Sequence, residues 1–187
     1  MEGLKFRIDL IRERIYSRAF LPKLNCNHRS CEMARINQGF QAGLSWVHDR
    51  DGNVPSNAID AGDGIYVGRL MHDGDMLPAK IVPRLGKAYV CHGGREHEYH
   101  SYEVLCDTKA PGTQKCYVWE HARGGHVPKY SVLAGLSDSG DPIYVSRSEI
   151  DGERVVGKVH SGHDCAYFPY GGREHQKSSY EVLVMKK

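Results

Sequence analysis

Residues 86–105 read GKAYVCHGGREHEYHSYEVL, and residues 164–183 read DCAYFPYGGREHQKSSYEVL. Twelve of these twenty positions are identical at a constant offset of 78. The same offset aligns Ile65-Tyr66-Val67-Gly68-Arg69 with Ile143-Tyr144-Val145-Ser146-Arg147, Asp73-Gly74-Asp75 with Asp151-Gly152-Glu153, and Lys80 with Lys158. Upstream the offset falls to 73, pairing Trp46 with Trp119, Val54-Pro55 with Val127-Pro128, and Ala61-Gly62 with Ala134-Gly135. The five-residue difference sits in one loop, where LSDSGDP (136–142) stands in place of Asp63-Gly64. Self-similarity at a fixed period marks two copies of one structural unit.

The copies span 46–106 and 119–184, joined by a linker at 107–118, with an extension at 1–45. Within each copy, runs of β-branched and aromatic residues alternate with Gly and Asp turn signals. Strands are expected at 65–70, 76–82, 88–91 and 101–106, and again at 143–148, 154–159, 165–168 and 179–184. A unit of about 60 residues buries too little surface to stand alone. The fold class is therefore all-β: two tandem antiparallel repeats packed with pseudo-two-fold symmetry.

In the extension, Leu4, Ile8, Ile11 and Ile15 fall on one helical face, which predicts an amphipathic helix before the repeats. Such a helix packs on its own domain or a partner chain, or lies on an anionic membrane through residues 1–20. Residues 1–45 carry eight Lys or Arg against four Asp or Glu. The whole chain, with 25 basic and 23 acidic residues in 187, lacks the basic excess of a general nucleic-acid binder. No run approaches the roughly 20 apolar residues of a membrane-spanning helix. Arg7, Asp9, Arg12 and Arg14 break what would be the apolar core of a secretory signal. A cytoplasmic protein is expected, with vesicle association or release without a signal peptide as the other routes. Six cysteines without CxxC spacing read as free thiols.

Polar groups that occur in matched pairs favour two similar binding sites over one catalytic site, which needs unlike groups in unlike roles. No GxSxG, Walker A, HExxH or dinucleotide fingerprint is present, so no enzyme and no cofactor are expected. Lys80 and Lys158 each interrupt an apolar strand, LPAKIVP and VVGKVHS. Each reads equally as a lysine snorkelling from an exposed strand face or as a three-donor ammonium held over a shallow site. Asp63 and Asp138 occupy the loop after the repeated Ala-Gly. An Asp and a Lys together suit vicinal sugar hydroxyls, which both accept and donate. The Gly-Gly-Arg-Glu-His segments read as tight loops whose Arg95/Arg173 and Glu96/Glu174 tie strands together. His92, Glu96, His97 and His100 resemble metal ligands in copy one, but copy two has Tyr170 and Ser178 at the flanking positions, so no shared metal site is expected. Asp73/Asp75 and Asp151/Glu153 read first as hairpin turns and second as carboxylate pairs for glycoside cleavage or Ca²⁺ binding.

Taken in order, WVHDRDGNVPSNAIDAG, DGIYVGRLMHDGDMLPAKIVP and GKAYVCHGGREHEYHSYEVLC resemble the DM-nine repeat. YVWEHARGGHVPKYSVLAG through YGGREHQKSSYEVLV repeats the pattern. The resemblance covers 46–184 and implies a tandem-repeat β fold, as in mannose-specific bivalve lectins and the lectin module of natterin-like proteins. It implies mannose-type glycans as partners and a part in pathogen recognition; a homodimer, which would double the sites and add avidity, is a further expectation. It also implies sugar contacts at Asp63 with Lys80 and at Asp138 with Lys158. Ala79 and Ser146 replace glycines of that pattern. The competing reading is a vesicle-associated or protein-interaction scaffold that binds no sugar.

Overall fold

The computed structural model describes residues 34–36, 40–42, 44–108, 116–160 and 162–186. The expected helix over residues 4–15 lies outside the described residues. The first two strands, β1 (Ala34–Ile36) and β2 (Phe40–Ala42), pair with each other. Repeat one then contributes β3 (Ser45–Arg50), β4 (Asp60–Gly62), β5 (Ile65–His72), β6 (Asp75–Val82), β7 (Lys87–His92), β8 (Arg95–Tyr99) and β9 (Ser101–Cys106). Repeat two contributes β10 (Tyr117–Arg123), β11 (Leu133–Leu136), β12 (Pro142–Ile150), β13 (Glu153–His160), β14 (Ala166–Tyr170), β15 (Arg173–Lys177) and β16 (Ser179–Met185).

Turn chemistry sets the hairpins. Asp73-Gly74 and Asp151-Gly152 both take positive φ and join β5 to β6 and β12 to β13. Two-residue turns with both residues left-handed match the twist of the flanking strands. Gly93-Gly94 and Gly171-Gly172 do the same for β7–β8 and β14–β15. The Gly-Gly-Arg-Glu-His segments are thus not loops throughout. The glycines turn, and Arg95–Tyr99 and Arg173–Lys177 are strands.

All strands of the repeats join one antiparallel sheet, in the order β3-β9-β5-β6-β7-β8-β15-β14-β13-β12-β16-β10, with β4 on β5 and β11 on β12. The order is palindromic about the β8–β15 seam, where Arg95 faces Arg173, its own equivalent at offset 78. A pseudo-two-fold axis therefore passes through that pairing. The sheet also folds on itself, bringing β6 against β11 and β13 of the other repeat. Ile65, Val67, Val82 and Leu105 share one buried cluster with Val132, Val145, Val156 and Leu183. Each such side chain contributes about 1.5–3 kcal/mol on burial, and neither repeat could cover this surface alone. Of two flanking clusters, the one around Phe168 and Val182 lies inside repeat two, and the one around Leu77 and Val104 of repeat one also takes in Ile143 of repeat two.

Candidate functional site: two corners between the repeats

The lysines singled out by the repeat lie at the heart of the interface. Lys80 is 5% exposed and Lys158 7%, so neither snorkels from an open strand face. Lys80 Nζ pairs with Glu96 Oε1 of its own repeat at 3.3 Å and donates to the Pro169 carbonyl of the other at 3.0 Å. Lys158 Nζ lies 3.2 Å from Glu174 Oε1 and donates to the Cys91 carbonyl at 2.8 Å. Cys91 and Pro169 are themselves equivalent positions, so the two lysines make the same bridge in opposite directions.

The glutamates complete the lock. Glu96 Oε2 accepts the Gly172 N–H at 2.7 Å, and Glu174 Oε2 accepts the Gly94 N–H at 2.9 Å. Burial pushes the Glu174 carboxyl up, but the Lys158 ammonium and the Gly94 N–H outweigh it and hold it below its ordinary range. Arg95 and Arg173 stay exposed, so the glutamates, not the arginines, tie the repeats together.

A second symmetric pair reinforces the interface. Arg147 grips Glu181 with two nitrogens, donates to the Ala61 carbonyl at 2.8 Å, and stacks 4.4 Å over Trp119. Arg69 bonds Glu103 through Nε alone, donates to the Ala134 carbonyl at 2.9 Å, and stacks 4.4 Å over Trp46. A groove of about 640 Å³ opens beside Asn57, Asp60, Trp119 and Arg147. The polar groups named for Arg147 are all engaged by these contacts, and Asp60 Oδ1 accepts the Gly62 N–H at 2.6 Å.

Each interlocked lysine stands at a corner built from both repeats. At the first corner, the loop of repeat two that carries Asp138 docks on the β5–β6 hairpin of repeat one. The Asp138 N–H donates to Asp75 Oδ1 at 2.8 Å, and Asp75 Oδ2 lies 3.5 Å from His92 Nδ1. Lys158 reaches the neighbouring Cys91 carbonyl. Asp138 is exposed. Its loop is braced internally: Ser139 Oγ donates to Asp141 Oδ2 at 2.8 Å, and Asp141 N–H to Ser137 Oγ at 3.0 Å.

The second corner uses the equivalent parts with different residues. The short loop of Asp63 follows β4, whose Gly62 lies so close to repeat two that a methyl there would come 3.4 Å from Arg154 Nε. Lys80 reaches the Pro169 carbonyl and sits 5.6 Å from the centre of the Tyr170 ring. Tyr170 takes the place of His92, and Glu153, held by Arg84 at 3.1 Å, takes the place of Asp75. Asp63 is exposed in a left-handed turn with φ 57°.

The structure links Asp138 to Lys158 through Asp75, His92 and Cys91 and places Asp63 in the equivalent loop after β4. It gives each lysine a glutamate as its ion-pair partner rather than the aspartate. Each ammonium already faces a carboxylate oxygen and a backbone carbonyl of the fold, so at most part of its three-donor capacity serves anything beyond it. His92, Asp75 and Glu153, read from sequence as candidate metal ligand and hydrolytic carboxylates, stand at these corners instead, and Tyr170 was not singled out from sequence as a site-forming group.

Residues 60–177 match the family model of the DM9 repeat. Natterin-3 of Thalassophryne nattereri is 25% identical over 151 residues, covering 78% of this chain and 37% of that protein. The chain therefore spans little more than a third of that relative's length. Among solved structures, the nematode sperm cell motility protein MFP2B superposes with a TM-score of 0.54 at 18% identity, covering 89% of this chain and 52% of that one. At this identity the likeness is one of fold alone.

Proposed function

The chain belongs to the DM9 repeat family, and on that premise we propose that it is a non-catalytic carbohydrate-binding protein with one site at each Asp–Lys corner, directed at mannose-type glycans. The observation that carries this reading is the make-up of the corners. Each combines an exposed carboxylate, Asp138 or Asp63, with a buried lysine ammonium and a ring of the opposite repeat. A carboxylate accepts from sugar hydroxyls and an ammonium donates to them. The likeness to natterin-3 over most of the chain supports the same reading. A pair of matched corners also fits binding better than turnover, which asks for an acid and a base in different environments.

Sites of a few hydroxyl contacts bind weakly one at a time. Two per chain raise retention on a multivalent glycan without any new contact. The direct contacts are assigned to Asp63 and Asp138, and Lys80 and Lys158 act with them while holding the fold. Retention of the purified chain on immobilised mannan, competed by free mannose and repeated with EDTA, tests the proposal. The expected result is mannose-sensitive retention that EDTA leaves intact. Asp138→Asn or Asp63→Asn, both exposed and nearly isosteric, should each weaken retention about tenfold, the equivalent of ~1.4 kcal/mol. A wild-type chain that flows through, or variants that bind as well as wild type, would overturn it.

A further inference from the structure

Repeat one holds a histidine cluster that repeat two lacks. His72, at the end of β5, is 7% exposed. Its ring centre lies 4.2 Å from that of His97 and 5.0 Å from that of His92. His72 Nδ1 lies 2.6 Å from the Tyr99 hydroxyl. His72 Nε2 is buried, has no hydrogen-bond partner, and lies 3.5 Å from Asp73 Oδ2. A buried polar atom left without a partner costs about 1–3 kcal/mol, which asks what this nitrogen is for.

One ligand atom from each of His72, Asp73 and His92 lies within 4.8 Å of the others. Zinc bonds of about 2.0–2.2 Å to nitrogen and oxygen bring neighbouring ligands to roughly 3.5 Å of each other, so only small side-chain rotations separate this cluster from closure. The supports that metal-bound imidazoles need are in place as well. Tyr99 holds Nδ1 of His72, and Asp75 Oδ2 stands 3.5 Å from Nδ1 of His92. His97 Nε2 meets the His92 carbonyl at 3.1 Å and steadies the backbone of that ligand.

We propose that His72, Asp73 and His92 form a binding site for one zinc-class divalent metal ion per chain, with further coordination positions open to water or a ligand. Two imidazoles and one carboxylate select borderline metals such as Zn²⁺ or Co²⁺ over Ca²⁺ and Mg²⁺, which take oxygen. Burial, helped by the neighbouring His97, lowers the pKa of His72, and the neutral ring is the form that ligates metal. Repeat two carries Ile150, Asp151 and Tyr170 at the corresponding positions, so it offers a single ligand and no second site. The inference does not rest on the glycan reading, although Asp75 links the cluster to the Asp138 loop.

The test uses the full chain, stripped by a chelator and titrated with Co²⁺ as a coloured stand-in for zinc, in the absence of any glycan. One saturating equivalent with the intense visible bands of four-coordinate cobalt, displaced by Zn²⁺, is expected. Asp73→Asn, at a side chain 75% exposed, should weaken binding at least tenfold while leaving the melting temperature of the metal-free chain unchanged. His92→Tyr, which installs the residue of repeat two, should do the same. Absence of a saturating band, or a band that both variants leave intact, overturns the site.

Discussion

Glu96 and Glu174 cap each other's turns across the pseudo-two-fold axis: each carboxylate accepts the second glycine N–H of the opposite repeat's Gly-Gly turn, at 2.7 and 2.9 Å. Their second oxygens face Lys80 and Lys158, which reach on to carbonyls of the opposite repeat. The seam has few direct strand hydrogen bonds, Glu96 N–H to Gly172 carbonyl at 3.3 Å and Glu174 N–H to Gly94 carbonyl at 3.2 Å. Two buried ion pairs therefore carry much of what holds the halves of the sheet in register.

Replacing one partner of such a pair leaves the other charge buried and unpaired, at a cost of about 3–5 kcal/mol. A lysine snorkelling from an exposed strand face, one of the two sequence readings, could be replaced with little loss of stability; the burial of Lys158 excludes that. Lys158→Met keeps the aliphatic stem, and it should still lower the urea midpoint strongly by stranding Glu174. Adding Glu174→Gln should recover part of the loss, because the double variant removes both charges and keeps an acceptor for Gly94. Equilibrium unfolding of the two single variants and the double variant measures the coupling. Additive losses would mean that the pair does not act as a unit.

A pH dependence follows from His160. Burial, with the charge of Lys158 and the nearby His163, lowers its pKa to about 4, against the smaller opposing pull of Asp75 and Asp141. The unfolded chain, with an ordinary value near 6.5, binds this proton first. Stability is thus full above about pH 6.5 and falls as pH drops toward about 4, by up to about 3 kcal/mol from this group. Denaturant midpoints measured from about pH 7.5 down to 4.5 should decline through that window. His160→Gln, which removes the titrating ring, should flatten the decline. An equal slope in the variant would place its origin elsewhere.

The legible part of this fold is the part that both copies state twice. The Ile-Tyr-Val strands, the Asp-Gly turns and the offset of 78 need no tertiary information, because propensity and turn chemistry are local. Arg95–Tyr99 and Arg173–Lys177 escaped as strands because their charged and polar residues carry little β propensity. What makes them strands is the hairpin pairing with β7 and β14 along their whole length. A lysine inside an apolar strand reads the same whether it snorkels or pairs, and only the opposite repeat decides. The metal cluster joins residues 72, 73 and 92 across two strands and a turn. A signal for it did exist: His72 aligns with Ile150, and a histidine where the twin position is aliphatic marks a buried polar group.

The two copies also differ in how they fill one rung of the sheet, and this yields the last prediction. Ala79 and Val90 in repeat one correspond to Gly157 and Phe168 in repeat two. A Cβ on Gly157 would lie 2.6 Å from Phe168 Cδ1 and 2.1 Å from the Tyr167 carbonyl oxygen. Repeat two thus gives up a methyl on β13 and places a larger ring on β14, whose side chain is fully buried. Gly157→Ala should destabilise the chain by ~1–3 kcal/mol through overpacking. Combining it with Phe168→Val restores the pair that repeat one tolerates. If the neighbouring strand can then move away from the Tyr167 carbonyl, the double variant should be more stable than Gly157→Ala alone. Thermal denaturation of wild type, both single variants and the double variant decides the matter. A double variant no better than the sum of its parts would show that backbone crowding at Tyr167, and not the ring, is what requires glycine at 157.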